Sequence, residues 1–438
     1  LPTQLQVVEA AVLTYTTMQV GKEVARDCDV DMIAVGSIWH SILACDKTFR
    51  PITRTYSWLY TGASYIAQEL RKDADFTRHF YQTTGCMVNA IYPAFKIIDM
   101  KNKGLNISDC IFMGQGTYNF YRLTNEFMLS ESMASGTGLL DIHTKKFSKD
   151  ILEFLGIREN QFGVLCDYRA VKPLTEEGAK ILGLKSGIPV TPAQPDGGLN
   201  QVGAGALDED VMTLSIGTSA AIRISVSKPL IPEKPGTWCY LSPAGWMIGA
   251  ATSGACNCVD WAKDKLYGEG TSYENLELSD VNPAGMPVFL PFLYGERCPG
   301  WDDTRNAVFY NLNGSHTKND IYYSILEGII FNIYQCYEIL TEIHHTPKLI
   351  KLSGGILNSK FWTRMCCDIF NQEMECSNQS QMSLIGGAVL ALELAGVIEN
   401  IRDYKEEPGT IICPDPEKAK EYKKRYELYK EIYEKTKQ

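Results

Sequence analysis

The chain has 438 residues, 45% of them hydrophobic and 21% charged, with a net charge of −10. That length predicts two or three domains, and the acidic balance excludes broad, sequence-independent nucleic-acid binding, which needs a basic footprint. No apolar run is long enough for a membrane span, and the opening LPTQLQVVEAAVLTY lacks the basic segment and cleavage site of a secretory signal.

Strand-like and helix-like runs alternate along the chain, as in an α/β protein. Residues 4–27 read as an amphipathic helix, and 30–38 as a strand that ends at Trp39-His40-Ser41, with a second strand over 41–46. Helical patterns cover 64–73, 75–82, 94–102 and 114–123; residues 130–141, rich in Ser, Gly and Thr, read as irregular, and 148–156 as a short helix. A helix over 175–184 precedes the strand 187–194, which presents Asp196 in a Pro/Gly loop. From Val211 the pattern restarts, with strands over 211–216, 220–226, 238–241 and 245–250 and a long helix over 319–344. A strand over 349–353, a helix over 358–371 and a helix opening at Gly386-Gly387-Ala388 follow. The tail from Asp415 is a charged helix that sets Tyr422, Tyr426, Tyr429 and Tyr433 on one face, a packing stripe. The restart divides the chain into 1–207 and 208–438, with a ligand crevice between them.

Three features carry chemistry. Asp196, followed by two glycines, is a carboxylate that can act as general base on an attacking hydroxyl. About twenty residues on, the run VMTLSI breaks into Gly217-Thr218-Ser219, a turn whose N–H groups and hydroxyls can meet phosphate oxygens. A second apolar run, KLIKLSGG, ends in Gly354-Gly355. Together they point to phosphoryl transfer. An Asp before two glycines is also a common turn, so the assignment depends on context. The fourteen cysteines have neither a disulfide framework nor zinc-site spacing and read as free thiols of a reducing cytoplasm; no metal-ligand cluster is expected.

These motifs, in this order, resemble the FGGY family of carbohydrate kinases, its gluconate kinase branch most closely and its xylulose kinase branch next. MASGTGLLDIHTKKFSKDILEFLGI (133–157), LPFLYGERCPGWDDTRNAVFYNL (290–312) and LSGGILNSKFWTRMCCDIFNQEMEC (352–376) are similar to three family blocks. The resemblance implies two ribonuclease H-like, actin-like ATPase domains, an N-terminal sugar-binding one and a C-terminal one holding ATP with Mg²⁺. It implies Asp196 as general base. Trp39, His40, Tyr60, Asp196 and Gly197 would contact the sugar or sugar acid. Gly217, Thr218, Ser219 and Gly254 would lie along the phosphates, and Gly354, Gly355 and Asn358 along adenine and ribose. A cytoplasmic enzyme is expected, without membrane or nucleic-acid partners, and a homodimer is compatible with the family.

Two departures bear on that expectation. Family members begin with a strand-turn-strand carrying Asp-x-Gly-Thr, whereas this chain starts at the helix that follows, so the first strands of the N-terminal domain are expected upstream of Leu1. Where the family shows Trp-x-Asp-x-Arg, this chain has Trp58-Leu59-Tyr60-Thr61-Gly62. Both departures leave a second reading, a non-catalytic nucleotide- or sugar-binding regulator descended from a sugar kinase.

Overall fold

The computed structural model describes residues 6–437 except residue 280. Its centre is a seven-stranded sheet in the order Trp238–Ser242, Gly245–Thr252, Ala220–Val226, Val211–Ile216, Leu349–Ser353, Met374–Cys376 and Thr410–Ile412. The first four strands run antiparallel to one another, Leu349–Ser353 and Met374–Cys376 add in parallel, and the last strand turns back. This is the ribonuclease H-like arrangement. Met212, Leu214, Ile222 and Ile224 alternate onto one face of the sheet and are shut from solvent together with Ile325, Ile329 and Ile333 of the long helix Lys318–Ile343. The C-terminal helix Pro416–Lys435 covers that helix in turn. Its Tyr426 and Tyr429 rings each lie 5.5 Å from Phe331, so the tyrosine stripe is core.

In the first half, strands are short and made by tertiary pairing. The helix predicted over 4–27 spans Ala10–Ala25, because Val7–Val8 pair with Thr55–Tyr56 instead; residues 4 and 5 lie outside the described residues. The strand predicted over 30–38 reduces to Gly36–Ser37, paired in parallel with Gln194–Pro195, plus a bridge from Ile33 to Val190. The segment 130–141 is not wholly irregular: Ser130 Oγ accepts from the Met133 N–H and caps the short helix Glu131–Ser135. All fourteen cysteines are free, and most are buried. No described helix is long and apolar enough to cross a membrane.

Two differences from expectation shape the cleft. Asp196 is not in a loop: it is the first residue of the helix Asp196–Gly203, entered from Pro195. Gly386-Gly387 do not open a helix but sit inside Met382–Leu394. The reason is contact. The two helices cross so closely that a Cβ on Gly203 would lie 2.0 Å from the Met382 carbonyl oxygen. One on Gly386 would lie 2.0 Å from that of Leu199. Ser383 Oγ donates to the Asp196 carbonyl at 2.9 Å across the same contact. A helix-interior glycine costs ~1 kcal/mol in propensity, and here backbone approach requires it.

Gly386→Ala must push the helices apart, and overpacking of this kind costs ~1–3 kcal/mol. Denaturant unfolding should show that loss. Activity should fall further than stability accounts for, because the Asp196 helix moves with the contact.

Candidate active site

Asp196, Trp39, His40 and Ser219 line one chamber between the two halves, and its wall also includes Trp58, Arg223, Trp238, Tyr240 and Arg297. Its volume is about 180 Å³, below the ~300–1,000 Å³ of drug-sized ligand sites, which suits a small polar molecule and not a nucleotide.

Asp196 can be reached by solvent from the cleft, yet it lies deep among protein atoms. That desolvation raises its pKa above the usual carboxylate range. The Arg223 charge and hydrogen bonds from the Gly197 and Trp39 backbone N–H groups pull the other way without cancelling it. A raised carboxylate pKa makes a stronger proton acceptor. Gly197 is needed beside it, since a Cβ there would stand 2.8 Å from Trp39 Cζ3 and 3.2 Å from Arg223 Nε.

His40 is buried with a left-handed backbone (φ 65°), unusual for a non-glycine residue. Two contacts hold it. The Nζ of buried Lys96, whose pKa burial pulls well below the usual lysine range, donates to the His40 carbonyl at 2.6 Å and to that of Ser57 at 2.8 Å. His40 Nδ1 lies 2.6 Å from the Gly136 carbonyl, which can only accept, so Nδ1 carries the hydrogen and Nε2 is left as an acceptor. Burial lowers the ring pKa to about 3, the Arg297 and Lys96 charges adding to it, so the imidazole is neutral. Trp39 Nε1 donates to the Ser132 carbonyl, and its ring sits 5.0 Å from Tyr240.

A second chamber adjoins the first, sharing Trp58, Ile91, Ser219 and Arg297, and adds Tyr60, Asn89, Thr218, Ser253, Asn257 and Asp303. The carbonyls of Gly217 and Thr218 accept from the N–H groups of Cys256 and Asn257, which fixes the turn against the helix Cys256–Ala262. Gly254 lies behind this wall, packed on the Pro291 carbonyl. Gly354 (φ 99°) approaches so closely that its Cβ would be 2.4 Å from the Ile216 oxygen, and Gly355 faces Cys256. The two glycine turns therefore meet at the ends of neighbouring strands, and Asn358 is exposed at the end of the short turn Gly355–Asn358.

Tyr60 stands apart from Asp196. Its hydroxyl donates to Asp99 Oδ2 at 2.6 Å and accepts from Lys103, and burial with the Asp99 contact raises its pKa to about 12. Gly62 makes this possible, since a Cβ there would overlap the Tyr60 hydroxyl. Tyr60 thus lines only the second chamber, with its hydroxyl turned away. Two guanidinium groups line the Asp196 chamber, those of Arg223 and Arg297, which sequence reasoning overlooked together with Trp238 and Tyr240. A lone cation in the apolar strand AAIRISV was the available signal.

The profile of the FGGY family of carbohydrate kinases matches over residues 6–203 for its N-terminal domain and 212–394 for its C-terminal domain. A gluconokinase of Bacillus licheniformis is 26% identical over 424 residues, 92% of this chain and 82% of that protein. Gluconate kinase from Lactobacillus acidophilus superposes with a TM-score of 0.92 at 25% identity, over 99% of this chain and 90% of that one. A ligand-bound xylulose kinase from the same organism gives 0.91 at 25% identity with the same coverage.

Because its hydroxyl serves Asp99 and not the Asp196 chamber, Tyr60→Phe should lower stability by ~1–2 kcal/mol. Substrate KM should stay within about twofold; a large KM increase would return the hydroxyl to the substrate site.

Proposed function

The chain belongs to the FGGY family of carbohydrate kinases, and from that premise we propose that it moves the γ-phosphoryl group of ATP to a hydroxyl of a sugar or sugar acid, with Asp196 as general base. The observation that carries the base assignment is the placement of Asp196 at the start of the helix Asp196–Gly203, on a chamber it shares with Trp39, His40 and Ser219. The acceptor lies between Trp39, His40 and Asp196. The neutral His40 takes a hydrogen bond from one substrate hydroxyl through Nε2, which orients the chain without competing for the reacting proton. Asp196 takes the proton of the attacking hydroxyl as its oxygen bonds to phosphorus; the bond to the bridging oxygen breaks and ADP leaves.

The nucleotide runs from the second chamber across the paired glycine turns. Thr218 and Ser219 face its phosphates, while Gly354, Gly355 and Asn358 flank its adenosine. Mg²⁺ would be held chiefly by phosphate oxygens and waters and would offset the charge on the phosphates. We place residues 1–207 and 208–438 as the sugar-side and nucleotide-side units, and the cytoplasm as the setting, in keeping with the largely buried free thiols.

Asp196→Asn should lower kcat by at least ~100-fold. ADP binding, measured by calorimetry, should stay within about threefold; retained turnover would remove Asp196 from the base role. In the wild type, the base works only when ionised, so kcat/KM should fall as pH drops through the raised Asp196 pKa. The acid limb of the profile should lie above the range of a free aspartate, and a limb at ordinary carboxylate values would count against the assignment.

A further inference from the structure

Arg223 is a cation in an otherwise apolar strand. It is fixed there by register: it pairs with Thr213 on one side and Gly249 on the other, and strand alternation places it with Ala221 on the face toward the Asp196 chamber. Its Nε and Nη1 are closed off from solvent and have no hydrogen-bond partner. The Nε of Arg297, on the same chamber, is in the same condition. Asp196 is the carboxylate lining this chamber, and among the described residues neither arginine forms an ion pair with it. Two guanidinium groups thus face one carboxylate across a small desolvated space, and their buried donors are unused. Buried donors without acceptors are costly and rare in native proteins. Arg223 itself lines a chamber that a ligand can enter, and its Nη2 is not among the closed-off atoms.

Position along the strand separates the two anions that could fill this role. Ser219, in the phosphate turn, precedes Arg223 by four residues, or roughly 13 Å of extended chain. Arg297 lines both chambers, whereas Arg223 lines the chamber with Asp196 and not the one beside it. The donors of Arg223 therefore address the acceptor and not the nucleotide.

Resting on the acceptor-site reading above, we infer that Arg223 binds a carboxylate of the acceptor, so that the substrate is a sugar acid and Arg223 sets the preference for it over neutral sugars. The planar guanidinium suits a carboxylate through two parallel N–H···O bonds, a geometry that lysine cannot copy. The hydroxyl chain then extends past His40 and Asp196 toward the Ser219 turn.

The test is calorimetric binding of D-gluconate and of glucitol, which carries a hydroxymethyl group where gluconate has its carboxylate. It is run on the full chain and on Arg223→Gln and Arg223→Lys. Wild type should bind gluconate at least ~10-fold tighter than glucitol, since a site built around buried donors rejects an analogue lacking their partner. Arg223→Gln should erase that preference while leaving glucitol binding unchanged, and Arg223→Lys should restore part of it. The melting temperature of Arg223→Gln should equal or exceed that of wild type, because an unpaired buried charge is removed. Equal wild-type binding of the two ligands, or an equal loss of both in Arg223→Gln, would overturn the inference. The readout is independent of turnover. Arg223-dependent gluconate binding without ADP release from MgATP would leave this inference standing and remove the kinase assignment. Phosphorylation of neutral sugars with no gluconate preference would do the reverse.

Discussion

At the crossing of the Asp196 helix with Met382–Leu394, two backbones touch where side chains would normally keep them apart. Gly203 and Gly386 permit that approach, each beneath a carbonyl of the opposite helix. Gln201, on the same short helix, accepts from Thr213 Oγ1 at 2.7 Å, and so ties the helix to the central strand of the sheet. The position of the Asp196 carboxylate, its distance from Arg223 and its access to the chamber all follow from this contact. Side-chain packing adjusts to small errors, but backbone against backbone does not. The site therefore inherits the rigidity of the sheet.

Electrostatics in the chamber follow from what is left unpaired. His40 is neutral because it is buried beside cations, and its tautomer is set by the Gly136 carbonyl. The Asp196 carboxyl is held above the usual carboxylate range because desolvation outweighs the Arg223 charge. Elsewhere the buried arginines meet carboxylates directly, although Arg305 also keeps an unpartnered Nε. Arg305 meets Glu296 at 2.8 Å and the Tyr433 carbonyl at 2.6 Å, and Arg425 meets both oxygens of Glu327. The contrast matters. Arg305 and Arg425 each face a carboxylate at hydrogen-bond distance, whereas Arg223 and Arg297 on the chamber wall have no such partner among the described residues.

The C-terminal sheet was largely legible from sequence. The runs VMTLSI, AAIRISV and LIKLS carry β-branched alternation bounded by charged or small residues, and their limits match the strands. The first half was less so, because two-residue strands such as Gly36–Ser37 exist only through their partners. Asp196 and the Gly217 turn were visible as local signals. The role of Tyr60 was not, since Asp99 lies 39 residues away and no pattern links them. Gly386-Gly387 was misread as a helix start because a glycine pair signals a break locally, whereas the reason for it is a helix distant in sequence. Arg223 was visible as an anomaly and went unused.

The residues around Asp196 are attached in two directions. Gln194–Pro195 extend the pairing of Gly36–Ser37 in the first half, and the helix that begins at Asp196 is fastened to the second. Gln201 of that helix is hydrogen-bonded to Thr213, on the strand that runs into the Gly217 turn. Carboxylate and turn therefore share one support, and their spacing is set by the sheet that carries both.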